Sequence, residues 1–362
     1  MKYRVLLFML LLLAGHAYIF LRVWQILPVA WWGKLLVILL MLSMLGCMFL
    51  TMSRRDSFSL EQATVFYEFG TSWIFIALYL LMLFLGLDIL RMLHLIPANF
   101  MHHSFKGTLV VLGIMVTVFV YGNIHYNKKY RQTLQLTTEK SLQRPLKVLM
   151  MSDLHLGYHN RKAEFHRWVD MLNAEDADLI LIAGDIIDFS TVPLLKEGVA
   201  SEFHRLNAPV IACLGNHDGY AGDANSQQFF EEAGITLLRD EFIEWKDLCI
   251  IGRDDRTNPK RFPLQQIMQG IDRSKYLILM DHQPFNLEQA EQCGVDFQLS
   301  GHTHYGQVWP ISWITRAIYE CTYGEYQLGA TRYYVSSGMG IWGGKFRIGT
   351  RSEYLVAEIS GE

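Results

Sequence analysis

The second half of the chain carries five small groups of oxygen and nitrogen donors. They are Asp153-Leu-His155, Gly184-Asp185-Ile-Ile-Asp188, Gly215-Asn216-His217-Asp218, the lone His282, and Gly301-His302-Thr-His304. Imidazole mixed with carboxylate or amide oxygen is a donor set that suits Mn, Fe or Zn better than Mg, which prefers oxygen alone. Singly, each group is weak. An Asp-x-His pair is common by chance, Gly-Asp usually marks a turn, and a His after a buried strand is usually a hydrogen-bonded structural residue. Their order along the chain, each directly after a short apolar run, leaves little room for coincidence.

Those apolar runs are the elements that must position the donors. Spacing predicts strands over 146–151, 179–183, 210–214, 248–252, 276–280 and 297–300, and helices near 161–172, 197–206, 226–233 and 287–292. Such alternation describes an α/β domain. The donors then fall at the carboxyl ends of strands, the edge where open α/β sheets place their sites. Glycine beside a donor lets the backbone turn sharply and approach closely.

These residues resemble the calcineurin-like metallophosphoesterase superfamily, whose pattern is D-x-H, G-D-x-x-D, G-N-H-[DE], H and G-H-x-H. The resemblance spans about 146–358. The string Gly301-His-Thr-His-Tyr-Gly-Gln-Val-Trp309 is similar to bacterial branches with a membrane-attached N-terminus, although Tyr305 stands where many relatives have Gly. The resemblance implies two β-sheets sandwiched by helices and two divalent metal ions bridged by Asp185. Asp153, His155 and His304 would complete one ion's ligands, and Asn216, His282 and His302 the other's. His217 is similar to the family's catalytic histidine, and Asp188 to the carboxylate that orients it.

The chemistry suits those residue types. Two divalent ions about 3.5–4 Å apart share a hydroxide, polarise a phosphoryl group and neutralise charge on attacking and leaving oxygens. A histidine beside the leaving oxygen donates a proton, and its other nitrogen needs a partner to fix the tautomer. Other residues stay open between two readings. Asp218 is a support for the site or a solvated turn residue, and Arg253, Asp254 and Asp255 form a pocket rim or a charged surface loop. His159, His166 and His204 are expected to serve surface or packing roles. Gly338, Gly340, Gly343 and Gly344 with Trp342 read as a loop near the site, without the Lys-Ser/Thr ending of a P-loop. Lys345 and Arg347 beside it are candidates to meet substrate anions or lipid headgroups.

The first half of the chain is different material. It carries most of the apolar excess behind the 51% hydrophobic content of a chain only 19% charged. Apolar stretches at 5–21, 35–52, 73–89 and 108–121 approach the roughly 20 residues a spanning helix needs, the fourth only if 122–126 contribute. Met1-Lys2-Tyr3-Arg4 has the look of a signal peptide's charged start, but Ala14-Gly-His-Ala17 is a poor cleavage site and the later spans tether the chain regardless. Trp31, Trp32 and Trp73 sit at span ends. His16 and Asp88, the latter three residues from Arg91, are expected to be structural. Lys2, Arg4, Arg54, Arg55, Lys128, Lys129 and Arg131 outweigh Arg22, Lys34, Arg91 and Lys106 on the opposite side, so the catalytic half is expected in the cytoplasm.

The expected organisation is a four-span α-helical transmembrane bundle (1–126), a juxtamembrane linker (127–145) and an α/β domain (146–362). A net charge of -3 without a basic run gives no sign of nucleic acid. Cys47, Cys213, Cys249, Cys293 and Cys321 show no paired spacing and are expected as free thiols. The partners expected are the lipid bilayer and a phosphorylated substrate, a diester, pyrophosphate or monoester, with a membrane lipid or lipid-linked nucleotide as the sharper version. Soluble nucleotides or phosphoproteins are the first alternative. A polytopic transport or sensing protein with a regulatory metal domain is the second, and the near absence of intramembrane charge speaks against transport.

Overall fold

The structure, a computed structural model, describes residues 2–54 and 57–361. It divides into two units, 1–123 with 343–345 and 124–342 with 346–362.

The apolar stretches form α1 (Lys2–Ile26), α2 (Trp31–Arg54), α3 (Leu60–Met92) and α4 (Phe105–Asn127). All four are long and apolar enough to cross a membrane. Residues 122–126 do continue α4, whose 23 residues make a rod of roughly 35 Å. α3 starts well before the expected 73. A capping box between Ser59 and Gln62 nucleates it, and hydropathy alone does not register that polar first turn. His16 is satisfied locally, with Nδ1 2.8 Å from the Leu12 carbonyl and Nε2 accepting from Trp73 Nε1 at 3.1 Å. Asp88 is paired chiefly with Arg22 and the Tyr18 hydroxyl, each at 2.5 Å, and Arg91 stands further off at 3.6 Å. Of the basic residues weighed for orientation, Arg55 lies outside the described residues.

In the second unit the strands are β1 (Lys129–Thr138), β2 (Leu146–Met151), β3 (Leu179–Ala183), β4 (Val210–Cys213), β5 (Thr236–Leu238), β6 (Glu241–Trp245), β7 (Leu248–Gly252), β8 (Tyr276–Met280), β9 (Phe297–Ser300), β10 (Gly324–Leu328), β11 (Thr331–Val335) and β12 (Ser352–Gly361). They form two six-stranded mixed sheets, β1-β12-β2-β3-β4-β5 and β10-β11-β9-β8-β7-β6. Within them β2, β3 and β4 are parallel, as are β7, β8 and β9. The loops after the strands therefore emerge on one edge of each sheet.

Alternation along the strands builds the layers. Val148, Met150, Leu179 and Leu181 of one sheet pack against Ile250, Ile278 and Met280 of the other. Leu149, Met151, Ile180 and Ile182 face outward onto Phe165 and Trp168 of helix α5 (Lys162–Asn173). Cys249, Ile251, Leu277 and Leu279 do the same on the far side. Each such side chain contributes about 1.5–3 kcal/mol on burial, and both faces of the central strands are dry.

Two expectations are corrected. Within the stretch expected as a linker, Lys129–Thr138 is β1, paired with β12 from Lys129↔Ser352 to Thr138↔Gly361. It is an edge strand that buries Leu134, Leu136 and Thr138 while its other side chains are half-buried or exposed, and its partner lies far along the chain. The helix expected over 197–206 is two short ones, Val192–Glu197 and Ala200–Phe203. They are split by Gly198 in a left-handed C-cap at φ 61°.

Candidate metal centre

The donors sit on backbone that is bent to present them. Asp153 and His155 follow β2, Asp185 follows β3, Asn216 follows β4, His282 follows β8, and His302 and His304 follow β9. Among these, Asp153, His155, Asp185, His302 and His304 have φ between 45° and 68°. Left-handed backbone costs a non-glycine residue roughly 1 kcal/mol or more, and it persists where surrounding structure over-determines it. Asp218 supplies part of that structure. Its Oδ2 accepts from the Asp185 and Gly215 N–H groups at 2.9 and 2.8 Å, and its Oδ1 from Ile187 N at 2.8 Å. It is buried, so the supporting reading of Asp218 holds and the solvated-turn reading does not. Gly184 (φ 80°) is required as glycine, since a Cβ there would lie 2.7 Å from His282 Nδ1.

The side chains converge in three overlapping groups, Asp153–His155–His304, His155–Asp185–His217 and Asp185–His282–His302, with donor atoms in each within 4.8 Å of one another. Asp185 and His155 are shared between groups. His304 Nε2 is 3.3 Å from Asp153 Oδ1, His155 Nε2 is 3.6 Å from Asp185 Oδ2, and His282 Nε2 is 3.1 Å from the same oxygen. Asn216 Oδ1 lies 2.8 Å from His302 Nδ1, which places the amide with the third group. Asp188 Oδ1 is 3.0 Å from His217 Nδ1 and 3.1 Å from His155 Nδ1. The sequence-derived set of Asp153, His155, Asp185, Asp188, Asn216, His217, His282, His302 and His304 thus gathers in one place.

The donor set fits cations. His155 Nε2 and His304 Nε2 face each other at 3.0 Å, so two ring nitrogens converge where one cation could take both as ligands. His282 donates from Nδ1 to the Ala183 carbonyl at 2.7 Å, which turns Nε2 toward Asp185 Oδ2, 3.1 Å away. Four carboxylates, Asp153, Asp185, Asp188 and Asp218, are buried together. Burial alone would raise Asp153, but His304, His155 and His282 hold it well below the usual carboxylate range. Burial opposes charge on His155, yet Asp153, Asp188 and Asp185 raise it to about 10. Burial and the neighbouring Asp185 charge push Asp218 up to about 7. Excess buried negative charge of this kind calls for bound cations.

The surroundings sort the remaining residues. Gly338 and Gly340 back directly onto Asp153 and Leu154, as a loop near the site should. Arg347 is a correction. It is fully buried and meets no solvent, donating to the carbonyls of His304 (2.8 Å), Ser337 (2.5 Å), Gly338 (3.3 Å) and Gly340 (3.0 Å). Arg253, Asp254 and Asp255 are also buried rather than a surface loop. Arg253 faces Asp240 and Asp281 at 3.6 and 3.5 Å. Beside them a 380 Å³ cavity is lined by Arg253, Arg256, Arg261, Phe285 and Asp281, the residue before His282. His159 is buried against the Ile341 carbonyl at 2.5 Å, whereas His166 pairs with Glu202 and His204 with the Glu232 carbonyl. The described cysteines are all free thiols.

Sequence reasoning missed three contributors. Phe189 and Tyr220 flank His217 with ring centroids 4.5 and 5.4 Å away. Tyr319 stands 6.1 Å from the His302 ring and 4.6 Å from Phe285. Nothing in their local sequence marks them, since the fold alone brings them to the donors.

Comparison with known proteins agrees with this geometry. The family model for calcineurin-like phosphoesterases matches residues 146–306. A metallophosphoesterase of Aquifex aeolicus is 30% identical over 60% of this chain and 86% of its own length. A Campylobacter jejuni metallophosphoesterase is 28% identical over 71% of this chain and 70% of its own. A Danio rerio transmembrane protein with metallophosphoesterase domain is 29% identical over 69% of this chain and 62% of its own.

Proposed function

The chain belongs to the calcineurin-like phosphoesterase family, and on that premise we propose that it is a multi-pass, membrane-anchored hydrolase with two divalent ions. Its reaction is cleavage of a phosphodiester, pyrophosphate or phosphomonoester, and its preferred substrate carries a lipid. The observation that carries this reading is Asp185, whose carboxylate stands between the two halves of the donor set.

Asp153, His155 and His304 would hold one ion, Asn216, His282 and His302 the other, and Asp185 both. Mn, Fe or Zn suits the mixed donors. When bound, such ions supply Lewis acidity to the phosphoryl oxygens and lower the pKa of water to give the nucleophile. The protein's own residues do the rest. Asp188 accepts from His217 Nδ1 at 3.0 Å, which would pair with the ring's imidazolium form. That form can hand its Nε2 proton to the departing oxygen and is left neutral. Phe189 and Tyr220 set aromatic rings against His217, 4.5 and 5.4 Å from its centroid. Arg256 and Arg261, on the cavity that begins at Asp281, suit a second anionic group of an anhydride or diester.

The anchor supports the lipid-linked version, because tethering raises the effective concentration of a membrane-bound substrate. The balance of Lys and Arg supports a cytoplasmic catalytic side. Full-length protein in lipid nanodiscs with Mn²⁺ is expected to hydrolyse an aryl phosphodiester. Asp185→Asn should lose roughly 10²–10³-fold, the scale of deleting one charge-stabilising group. Full activity of that variant, or of metal-stripped protein, would falsify the two-ion reading. A lipid-linked diphosphate cleaved no faster than its water-soluble headgroup analogue would remove the lipid preference alone.

A further inference from the structure

The helix that follows the His302–His304 loop, Ile311–Ile318, turns an apolar face to the outside. Ser312 is its buried residue. Trp313 is 62% exposed, Ile314 59% and Ile318 56%, and Trp309 meets Trp313 edge to face with centroids 5.4 Å apart. Isolated exposed apolar residues need no explanation, but a contiguous group on one amphipathic helix marks an interaction site.

Its location narrows the partner. Trp309 N donates to the Ile348 carbonyl at 2.7 Å. Ile348 lies four residues before Ser352, which pairs with Lys129 at the start of β1. These links keep Trp309 within about 25 Å of Lys129. Two residues earlier the chain is still in α4, a candidate span. A bilayer is therefore always near this end of the unit. A stable homodimer needs roughly 800 Å² per partner, more than these few side chains offer. Indole beside branched aliphatics is the chemistry that partitions to the headgroup and acyl boundary.

We propose that the Trp313–Ile314–Ile318 face docks on the bilayer interface. Docking brings the loop bearing His302 and His304 to the level of lipid headgroup phosphates, and Arg316, which reaches the Tyr305 hydroxyl, stays at the polar edge. The inference rests on the apolar helices and this exposed face, not on the proposed hydrolysis, so it can fail or stand separately.

The test uses the full chain in nanodiscs made from ordinary lipid or from lipid brominated along its acyl chains. Subtracting the spectrum of Trp313→Phe isolates the Trp313 fluorescence. The expected result is a blue-shifted Trp313 component that brominated lipid quenches. Ile314→Asp with Ile318→Asp should shift it to the red and abolish quenching, while hydrolysis of a soluble aryl phosphodiester stays unchanged. A red-shifted, unquenched component in the parent protein overturns the proposal. So does a blue-shifted component that brominated lipid leaves unquenched, because protein, a second copy included, would then cover the face.

Discussion

His155 and His217 lean on the same oxygen, Asp188 Oδ1, at 3.1 and 3.0 Å. Their rings meet edge-on with centroids 4.6 Å apart. Burial alone would raise the Asp188 carboxyl, but His155 and His217 hold it well below the usual range. A carboxylate that accepts from both Nδ1–H groups fixes both tautomers and turns both Nε2 atoms into the site. One side chain thus steadies a candidate metal ligand and the candidate proton donor together.

Asp188→Asn should therefore fail in two respects where His217→Gln fails in one. The asparagine amide keeps a single acceptor oxygen and adds N–H groups that the two rings do not want. Metal affinity should fall roughly 10–100-fold in Asp188→Asn, the usual scale for losing a group that orients a ligand, and kcat should fall as well. His217→Gln should lower kcat by about 10²–10⁴-fold with metal affinity preserved. Metal titration alongside steady-state kinetics separates them. Unaltered metal binding in Asp188→Asn would mean that Asp188 serves His217 alone.

Without metal, the centre should depend on protons held by its histidines. The folded-state pKa of His155 is raised to about 10, above an unfolded value near 6.5. Its stabilising contribution is then fully present below about pH 6.5 and lost as pH rises through 10. Asp218, pushed up to about 7, acts in the same direction between about pH 4 and 7. Metal-stripped protein should melt at progressively lower temperature from pH 6.5 to 10, and Mn²⁺ should flatten that slope by replacing the protons. Parallel slopes with and without metal would contradict this.

What the sequence made legible follows burial. β2, β3, β7 and β8 are short apolar runs with both faces dry, so their composition alone marks them, and the donors follow directly. β1, β10 and β12 are harder to see. β10 alternates half-buried and exposed residues, and β1 depends on a partner more than 200 residues away, Lys129 with Ser352. The donor residues could be listed from their order because Asp and His are chemically distinctive. Arg347 could not be placed, since its partners are main-chain carbonyls that carry no sequence signature. The dual role of Asp188 was hidden for a related reason. Its second partner, His155, precedes it by 33 residues, and only the parallel pairing of β2 with β3 brings them together.

Arg347 should be a stability residue with a catalytic consequence. It is fully buried among carbonyl acceptors on the glycine-rich loop and at His304. Arg347→Met removes the donors and leaves those carbonyls unsatisfied, which costs on the order of 3–5 kcal/mol for a group of this kind. Thermal melting should fall by several degrees, and metal affinity should weaken because His304 loses its support. Arg347→Lys should recover only part, since an ammonium cannot span the same acceptors. A melting curve matching the parent protein's would show that the loop holds itself.

Tyr305 stands in a left-handed run, His304 to Gln307, with φ of 48°, 51°, 75° and 61°. Its ring stacks on Tyr323 with centroids 4.9 Å apart, and the Arg316 guanidinium lies 5.2 Å from its centre. Tyr305→Gly relieves roughly 1 kcal/mol of backbone strain and forfeits an aromatic contact worth about 0.5–1.5 kcal/mol. The two oppose each other, so stability should move by no more than about 1 kcal/mol. Substrate binding should respond more strongly, because the variant opens the rim beside His304 and releases Arg316. KM for a bulky or lipid-linked ester should change while kcat for a small aryl phosphodiester stays near the parent value. Kinetics on the two substrates check this, and a fall in kcat on both would place Tyr305 in the support of His304 rather than at the rim.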